Sequence, residues 1–247
     1  MFSEYRTAVI DGDVLLYMSI WNSPDLEDAL ESLEIHFEAV MEGSWSQDYV
    51  MAFGGPNNFR DVLFSEYKKS ASRAKSKSTR PEWFGDLKSE ATSLYENSVI
   101  CDGYEADDMV RIWANELEEW GRDFIVCTVD KDLDCIPGKH YNPRKSEVYW
   151  VAPEYSEMFY WKQLLMGDTV DNIPGVEGIG PKKAEKLIED CKTRKDYERV
   201  VFNTYHDKYP EDGFDRMLLN GKLLHMWRSM DDHFSVERSK YDSIVKG

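Results

Sequence analysis

The sequence has no CxxC pair, no HxxxH spacing among its five histidines, and four cysteines, Cys101, Cys127, Cys135 and Cys191, too scattered to frame a small fold. A zinc site and a disulfide framework are therefore not expected. There is no apolar run long enough to span a bilayer and no basic-then-apolar leader at MFSEYRTAVIDGD, so a cytoplasmic chain without a membrane partner is expected. Positive charge is also short: 30 Lys and Arg face 47 Asp and Glu, a net charge of −17. Taken over the whole chain, that balance argues against a nucleic-acid partner. What steers an anion is the local field, however, and residues 68–80 gather Lys68, Lys69, Arg73, Lys75, Lys77 and Arg80 without one Asp or Glu. What is plentiful is apolar content, 42% of 247 residues, enough for one full core or a core with a smaller helical part.

The acids recur at the ends of apolar segments. Arg6 to Ile10 reads as a buried strand ending in Asp11-Gly12-Asp13, and open α/β sheets hold ligands at such strand ends. Read alone, Asp11 has a structural alternative as a cap for the next helix. After Ser23-Pro24, Leu26, Leu30, Leu33, Phe37 and Val40 recur at helical steps, which predicts a packing helix. Tyr49 to Phe53 predicts the next strand. Glu105, Asp107 and Asp108 open a helix whose stripe is Ala106, Val110, Trp113 and Leu117, a place where the helix dipole tolerates acids in any protein. Phe124 to Val129 predicts a strand followed by Asp130 and Asp132, which alternate and can converge on one ion. Asp134 reads as a turn acid.

Met166 to Lys186, MGDTVDNIPGVEGIGPKKAEK, puts an acidic pair, a glycine loop and a basic helix start in one stretch. Asp168 and Asp171, three apart, are predicted to share one side of a helical turn and one hard cation. Gly175, Gly178 and Gly180 permit sharp bends, and Pro181 suits the first position of a helix. That helix start, with Lys182, Lys183 and Lys186, is an anion dock. Read blandly, it is a Gly/Pro loop between surface helices.

This stretch resembles the helix-turn-helix-like DNA clamp of the flap endonuclease and 5'-3' exonuclease family. EADD at 105–108 and TxDKDL at 128–133 match the same family, from Val9 to about Ile188. The resemblance implies an α/β fold, a PIN-like or Rossmann-like mostly parallel sheet flanked by helices, with a helical arch and the C-terminal clamp. Its divisions are expected at 1–155, the nuclease domain with the arch at about 60–97, and 156–247, the helical DNA-binding region. It implies metal ligands among Asp11, Glu105, Asp107, Asp108, Asp130, Asp132, Asp168 and Asp171. Oxygen-only ligands indicate Mg2+, with Mn2+ able to substitute, and potassium at the clamp is implied by resemblance alone. In the basic segment, Tyr67 would stack on a base, and Lys68 and Arg73 would meet the scissile phosphate. Arg60, Lys69, Lys75, Arg80, Gly175, Gly178, Gly180, Lys182 and Lys183 would contact nucleic acid. Without the resemblance, 59–83 reads as a solvated loop.

The implied function is structure-specific hydrolysis of DNA at 5' ends, flaps, nicks or gaps, with RNA–DNA hybrids as further substrates. A stand-alone monomer of phage or bacterial type, without a polymerase region, is expected. The sequence departs from the family at the second strand, where many members carry an aspartate and this chain reads AFGGPNNFR. Neighbouring acids, a water or looser metal binding would each account for the change. Asp13 lies where the family often has a hydroxyl or amide. A catalytically disabled DNA-structure-binding protein, a PIN-type ribonuclease without the clamp and a plain cation binder are the alternatives.

Overall fold

The computed structural model describes residues 5–245, apart from the side chains of Ser76 and Ser78. The chain forms two compact units. The first comprises the chain up to Phe59, Ser76–Ala152 and Met226–Asp231; the second comprises Arg60–Lys75, Pro153–His225 and the chain from Asp232.

The first unit is built on a six-stranded sheet. In chain order its strands are β1 (Arg6–Asp11), β2 (Asp48–Phe53), β3 (Ser98–Ile100), β4 (Asp123–Cys127), β5 (Gly138–Asn142) and β6 (Glu147–Val151). They lie in the order β3-β2-β1-β4-β5-β6, parallel throughout except for the β5–β6 hairpin. Alternation along each central strand divides the core. Ala8, Ile10, Met51, Phe53, Ile125 and Cys127 enter one cluster with Leu15, Leu33 and Leu87, from α1 (Gly12–Ser19), α2 (Leu26–Gly43) and α5 (Phe84–Leu94). Val9, Ala52 and Val126 enter another with Val110, Ala114 and Leu117 of α6 (Ala106–Glu119). Both faces are covered, which is why these strands are continuous apolar runs rather than amphipathic ones. The chain leaves β1 toward β2 and returns on its other side as β4, so the β1/β4 carboxyl ends form a topological switch point.

The cap of α2 is Asp25, whose side chain accepts from the Asp28 amide at 3.0 Å, rather than a residue of the Ser23-Pro24 pair. Trp227 belongs to the 226–231 segment and stacks on Phe59, with ring centroids 4.8 Å apart.

The second unit contains α3 (Phe59–Leu63) beyond its first residue and the first turn of α4 (Ala71–Ser78). Then come α7 (Pro153–Met166), a two-stranded ribbon β7 (Gly167–Asp168) and β8 (Ile173–Pro174), α8 (Pro181–Ile188), α9 (Arg194–Lys208), α10 (Gly213–Leu224) and α11 (Arg238–Val245). Trp161, Leu164, Ala184, Ile188, Val201, Phe202 and Met217 form its core. Tyr205 donates to the Leu164 carbonyl at 2.6 Å and accepts from Asn220 at 2.8 Å, so these two buried polar side chains are paired.

Arg60 requires a correction. It is 2% exposed, and its guanidinium donates to the Leu223 carbonyl at 2.8 Å and the His225 carbonyl at 2.7 Å, so it ties α3 to the end of α10 rather than meeting nucleic acid. Removing a buried cation's hydrogen bonds strands both carbonyls. Arg60→Met is expected to cost about 3 kcal/mol or more in a denaturant melt; an unchanged midpoint would mean that these bonds carry no net stability.

Candidate active site

In the first unit the strand ends deliver their acids as the alternation requires. Asp11, the last residue of β1, is 5% exposed and accepts from the Thr128 hydroxyl at 3.0 Å. The same hydroxyl accepts from the Asp130 amide at 2.9 Å, so Thr128 links the ends of β1 and β4. Thr128 lies within the TxDKDL stretch, and no local pattern marks this linking role. Burial, then the charges of Asp13 and Asp130, push the Asp11 carboxyl up to about 7, against partial relief from Thr128 and the Val14 amide. Asp130 does not simply leave a strand. It caps a short 3-10 helix, Lys131–Cys135, and accepts from the Asp132 amide at 2.9 Å.

At the start of α6, Glu105 accepts from Asn58 at 2.9 Å, while Asp108 accepts from the Glu105 amide at 3.0 Å and from the Trp227 amide at 3.3 Å. Asp108 is fully buried, so its geometry is that of an anchor for the helix start and the 226–231 segment. Asp107 is half-buried one position before it. Asp134 accepts from the Tyr149 hydroxyl at 3.0 Å, in keeping with a turn acid. Among the described residues, no three Asp, Glu, His or Cys side chains are arranged to enclose a cation. Several of the carboxylates are turned to donors of their own chain. The donor set nevertheless fits a hard divalent ion: it is all oxygen, and Asp11 stands in the repulsive field of two other acids, which such an ion relieves.

The second unit carries the rest of the predicted set, and two expectations change. Asp168 and Asp171 do not share a helical turn. They belong to the β7–β8 ribbon and the turn that closes it, where Asp168 accepts from the Val170 amide at 2.7 Å and the Asp171 amide at 3.1 Å. The three-residue spacing that suggested a helix face is also that of a side chain closing a turn. Asp171 is turned toward the basic segment. Its Oδ1 accepts from Arg73 at 2.6 and 3.1 Å, and its Oδ2 lies 3.5 Å from Lys68 Nζ and 3.3 Å from the Tyr67 hydroxyl. The Lys68 amide also donates to the Asp171 carbonyl at 2.8 Å, with Lys68 held at φ +53°. Arg73 and Lys68 thus converge on one carboxylate.

Tyr67 is corrected: its ring is 3% exposed and packs with Ile173 and Leu223, so in this conformation it is not a surface for stacking a base. Lys69 and Lys75 are exposed, with Lys69 4.0 Å from Glu66. Arg80, in the first unit, lies over the Tyr17 and Phe84 rings at 5.1 and 4.8 Å. Gly175 has an internal reason to be glycine, because a Cβ there would lie 2.1 Å from the Met166 backbone. Gly178, at φ +79°, makes the bend, and Gly180 caps α8 with Pro181 at its first turn, as predicted. No side chain caps that helix start, and Lys182 and Lys183 stand exposed beside its amides.

Residues 157–244 match the family model of the 5'-3' exonuclease C-terminal SAM fold. A 5'-3' exonuclease of Aquifex aeolicus is 25% identical over 94% of this chain and 85% of its own. The chain is similar to the 5'-3' exonucleases. DNA polymerase I of Rhizobium leguminosarum is 35% identical over 53% of this chain, which spans only 14% of that protein's length. Among solved structures, the bacteriophage T5 D15 protein co-crystallised with metal ions has a TM-score of 0.68 at 18% identity, over 98% of this chain and 97% of its own. Human GEN1 in complex with Holliday junction DNA has a TM-score of 0.53 at 16% identity, over 94% and 63%. These likenesses bear out the mostly parallel α/β fold expected from the sequence. Among the described residues no helix is long and apolar enough to cross a membrane.

Proposed function

We propose that this 5'-3' exonuclease relative is a structure-specific 5' nuclease that hydrolyses DNA phosphodiesters at 5' ends, flaps, nicks or gaps, with RNA–DNA hybrids as further substrates. The observation that carries the reading is the placement of Asp11 and Asp130 at the switch point of the sheet, joined through Thr128 and followed on α6 by Glu105 and Asp107. Acids without His or Cys favour Mg2+, with Mn2+ able to substitute. Asp11, Glu105, Asp107, Asp130 and Asp132 would hold the ion in the first unit, with Asp108 orienting the helix that presents two of them. Asp168 and Asp171 are proposed ligands for a divalent ion within the second unit. A divalent ion bound there supplies an acidified water and neutralises charge on the phosphate.

Lys68 and Arg73 carry the positive charge that would meet the substrate phosphate, in competition with Asp171. Lys69, Lys75 and Arg80 add non-specific phosphate attraction. The α8 start, with Gly178, Gly180, Lys182 and Lys183, would grip the duplex backbone and so read structure rather than sequence. Backbone oxygens of the same loop are the proposed holders of K+. The division of labour is a hydrolytic first region, near 1–155, and a gripping helical one, 156–247, in a monomer acting in the cytoplasm.

The test is a substrate panel with Mg2+: a 5' flap, a recessed 5' end, a blunt duplex and a single strand. Cutting at the flap junction or from the recessed end, with the single strand spared, is expected. Cleavage of single-stranded RNA in preference to all of these would support the PIN-type ribonuclease instead. Lys182→Glu/Lys183→Glu is expected to weaken duplex binding about tenfold or more and to flatten its salt dependence. Equal binding by that variant, measured by anisotropy, would remove the clamp from the reading.

A further inference from the structure

Three parallel strands end side by side at the switch point, and only two of them bring an acid. β1 ends in Asp11 and β4 is followed by Asp130, while β2 ends in Phe53-Gly54. A carboxylate is nevertheless present at the end of β2, reaching it from another element. Asp13, in the first turn of α1, extends across to Gly54 and accepts from its amide through Oδ2 at 3.2 Å. Its Oδ1 lies 3.0 Å from Lys88 Nζ, and Lys88 also donates to the Gly54 carbonyl at 2.5 Å. Asp11 lies in register with Ala52 of β2, so the Gly54 turn that Asp13 reaches follows the strand paired with the end of β1.

The glycine at 54 is explained by this arrangement and by nothing in its own backbone. Its φ is not in the left-handed region, so no strain of that kind calls for glycine. A Cβ at position 54 would lie 2.7 Å from Asp13 Oδ2, and its only other neighbour within 4 Å is the Asp13 carboxyl carbon at 3.7 Å. As placed, a side chain at 54 and the carboxylate of Asp13 exclude each other.

We propose that Asp13 is the metal-directed carboxylate of the second-strand position, supplied from α1 in place of a residue on β2, with Lys88 as its counter-ion and positioning residue. This inference rests on the nuclease reading above and makes the missing second-strand acid a relocation rather than a loss. The ordinary alternative is a structural tether, in which Asp13 merely holds the Gly54 turn.

Charge separates the two. Asp13→Asn keeps an oxygen for the Gly54 amide and removes the charge, so it is expected to weaken Mn2+ binding about tenfold or more, measured by calorimetry on the full chain without DNA. The relocation variant Asp13→Ser/Gly54→Asp is expected to regain most of that affinity. Lys88→Met, which leaves the carboxylate in place, is expected to bind Mn2+ at least as tightly as the wild type. Wild-type affinity in a folded Asp13→Asn, or no recovery in a folded relocation variant, would overturn the inference. If Asp13→Asn fails to fold, Lys88→Met with lowered affinity would overturn it. Asp130→Ala separates failures: Mn2+ binding that depends on Asp130 but not on Asp13 sinks this inference alone, whereas a wild type that binds no Mn2+ sinks the nuclease reading with it.

Discussion

Asp11→Asn is expected to move activity and stability in opposite directions. Cleavage of DNA should fall about a thousandfold or more, since the most buried carboxylate at the switch point would no longer hold a cation. Metal-free stability should rise at pH 8. The sign follows from the carboxyl being pushed from 3.8 to about 7, chiefly by burial and then by Asp13 and Asp130. Between those two values the folded protein binds the proton more tightly than the unfolded chain, so stability falls as pH climbs from about 4 to about 7. Above that, the full cost of the buried charge is present, on the order of 4 kcal/mol. An amide removes that charge and can still accept from Thr128. In thermal melts with a chelator, the variant should gain roughly 5 °C or more at pH 8 and little at pH 4. Loss of stability at pH 8 would show that the Asp11 charge is compensated within the protein, and the case for a cation there would weaken. With saturating Mg2+, the ordering should reverse, because only the wild type gains binding energy from the ion.

Lys68→Met is the second large effect: turnover on a 5' flap should fall about a hundredfold to a thousandfold, with flap affinity changing far less. The structure gives the reason to expect a turnover defect. Lys68 is fixed twice to Asp171, by its backbone amide at 2.8 Å and its ammonium at 3.5 Å, so its charge is held in one place rather than spread over a mobile stem. Arg73 shares the same carboxylate at 2.6 Å. A phosphate entering beside them must compete with Asp171, and the two cations should therefore act as a unit. Arg73→Met is expected to show a smaller loss alone, and the double variant less than the product of the two singles. A lysine used only to hold DNA would raise KM, lower the salt slope by about 1 and leave turnover intact.

Much of this arrangement is legible in the residues. The strands ending at Asp11 and preceding Asp130 are apolar and β-branched because both faces are covered, and α6 declares itself through its stripe. The glycine loop and Pro181 predict the α8 start because those residues have few other uses in combination. The misreadings have equally local causes. Asp168 and Asp171 are spaced for a helix face and for a turn alike, and only the β7–β8 pairing decides between them. Arg60 sits beside a basic segment, but its partners are carbonyls about 160 residues away, which no local pattern records. Tyr67 next to two lysines looks exposed, yet Ile173 and Leu223 cover its ring. Residues 60–75 group with the second unit because Lys68, Ser70 and Arg73 bond to residues 170 and 171. Asp13 stands where the family often has a hydroxyl or amide, and its relation to Gly54 depends on two elements lying side by side.

The most direct test of the central claim is cleavage of a 5'-labelled flap duplex with Mg2+ or Mn2+, comparing wild type with Asp130→Ala at equal protein concentration and equal flap binding. Products at the junction or from the 5' end are expected with the wild type, and their loss in the variant. A folded wild type that binds the flap and cuts nothing with either metal would contradict it and leave a DNA-structure-binding protein.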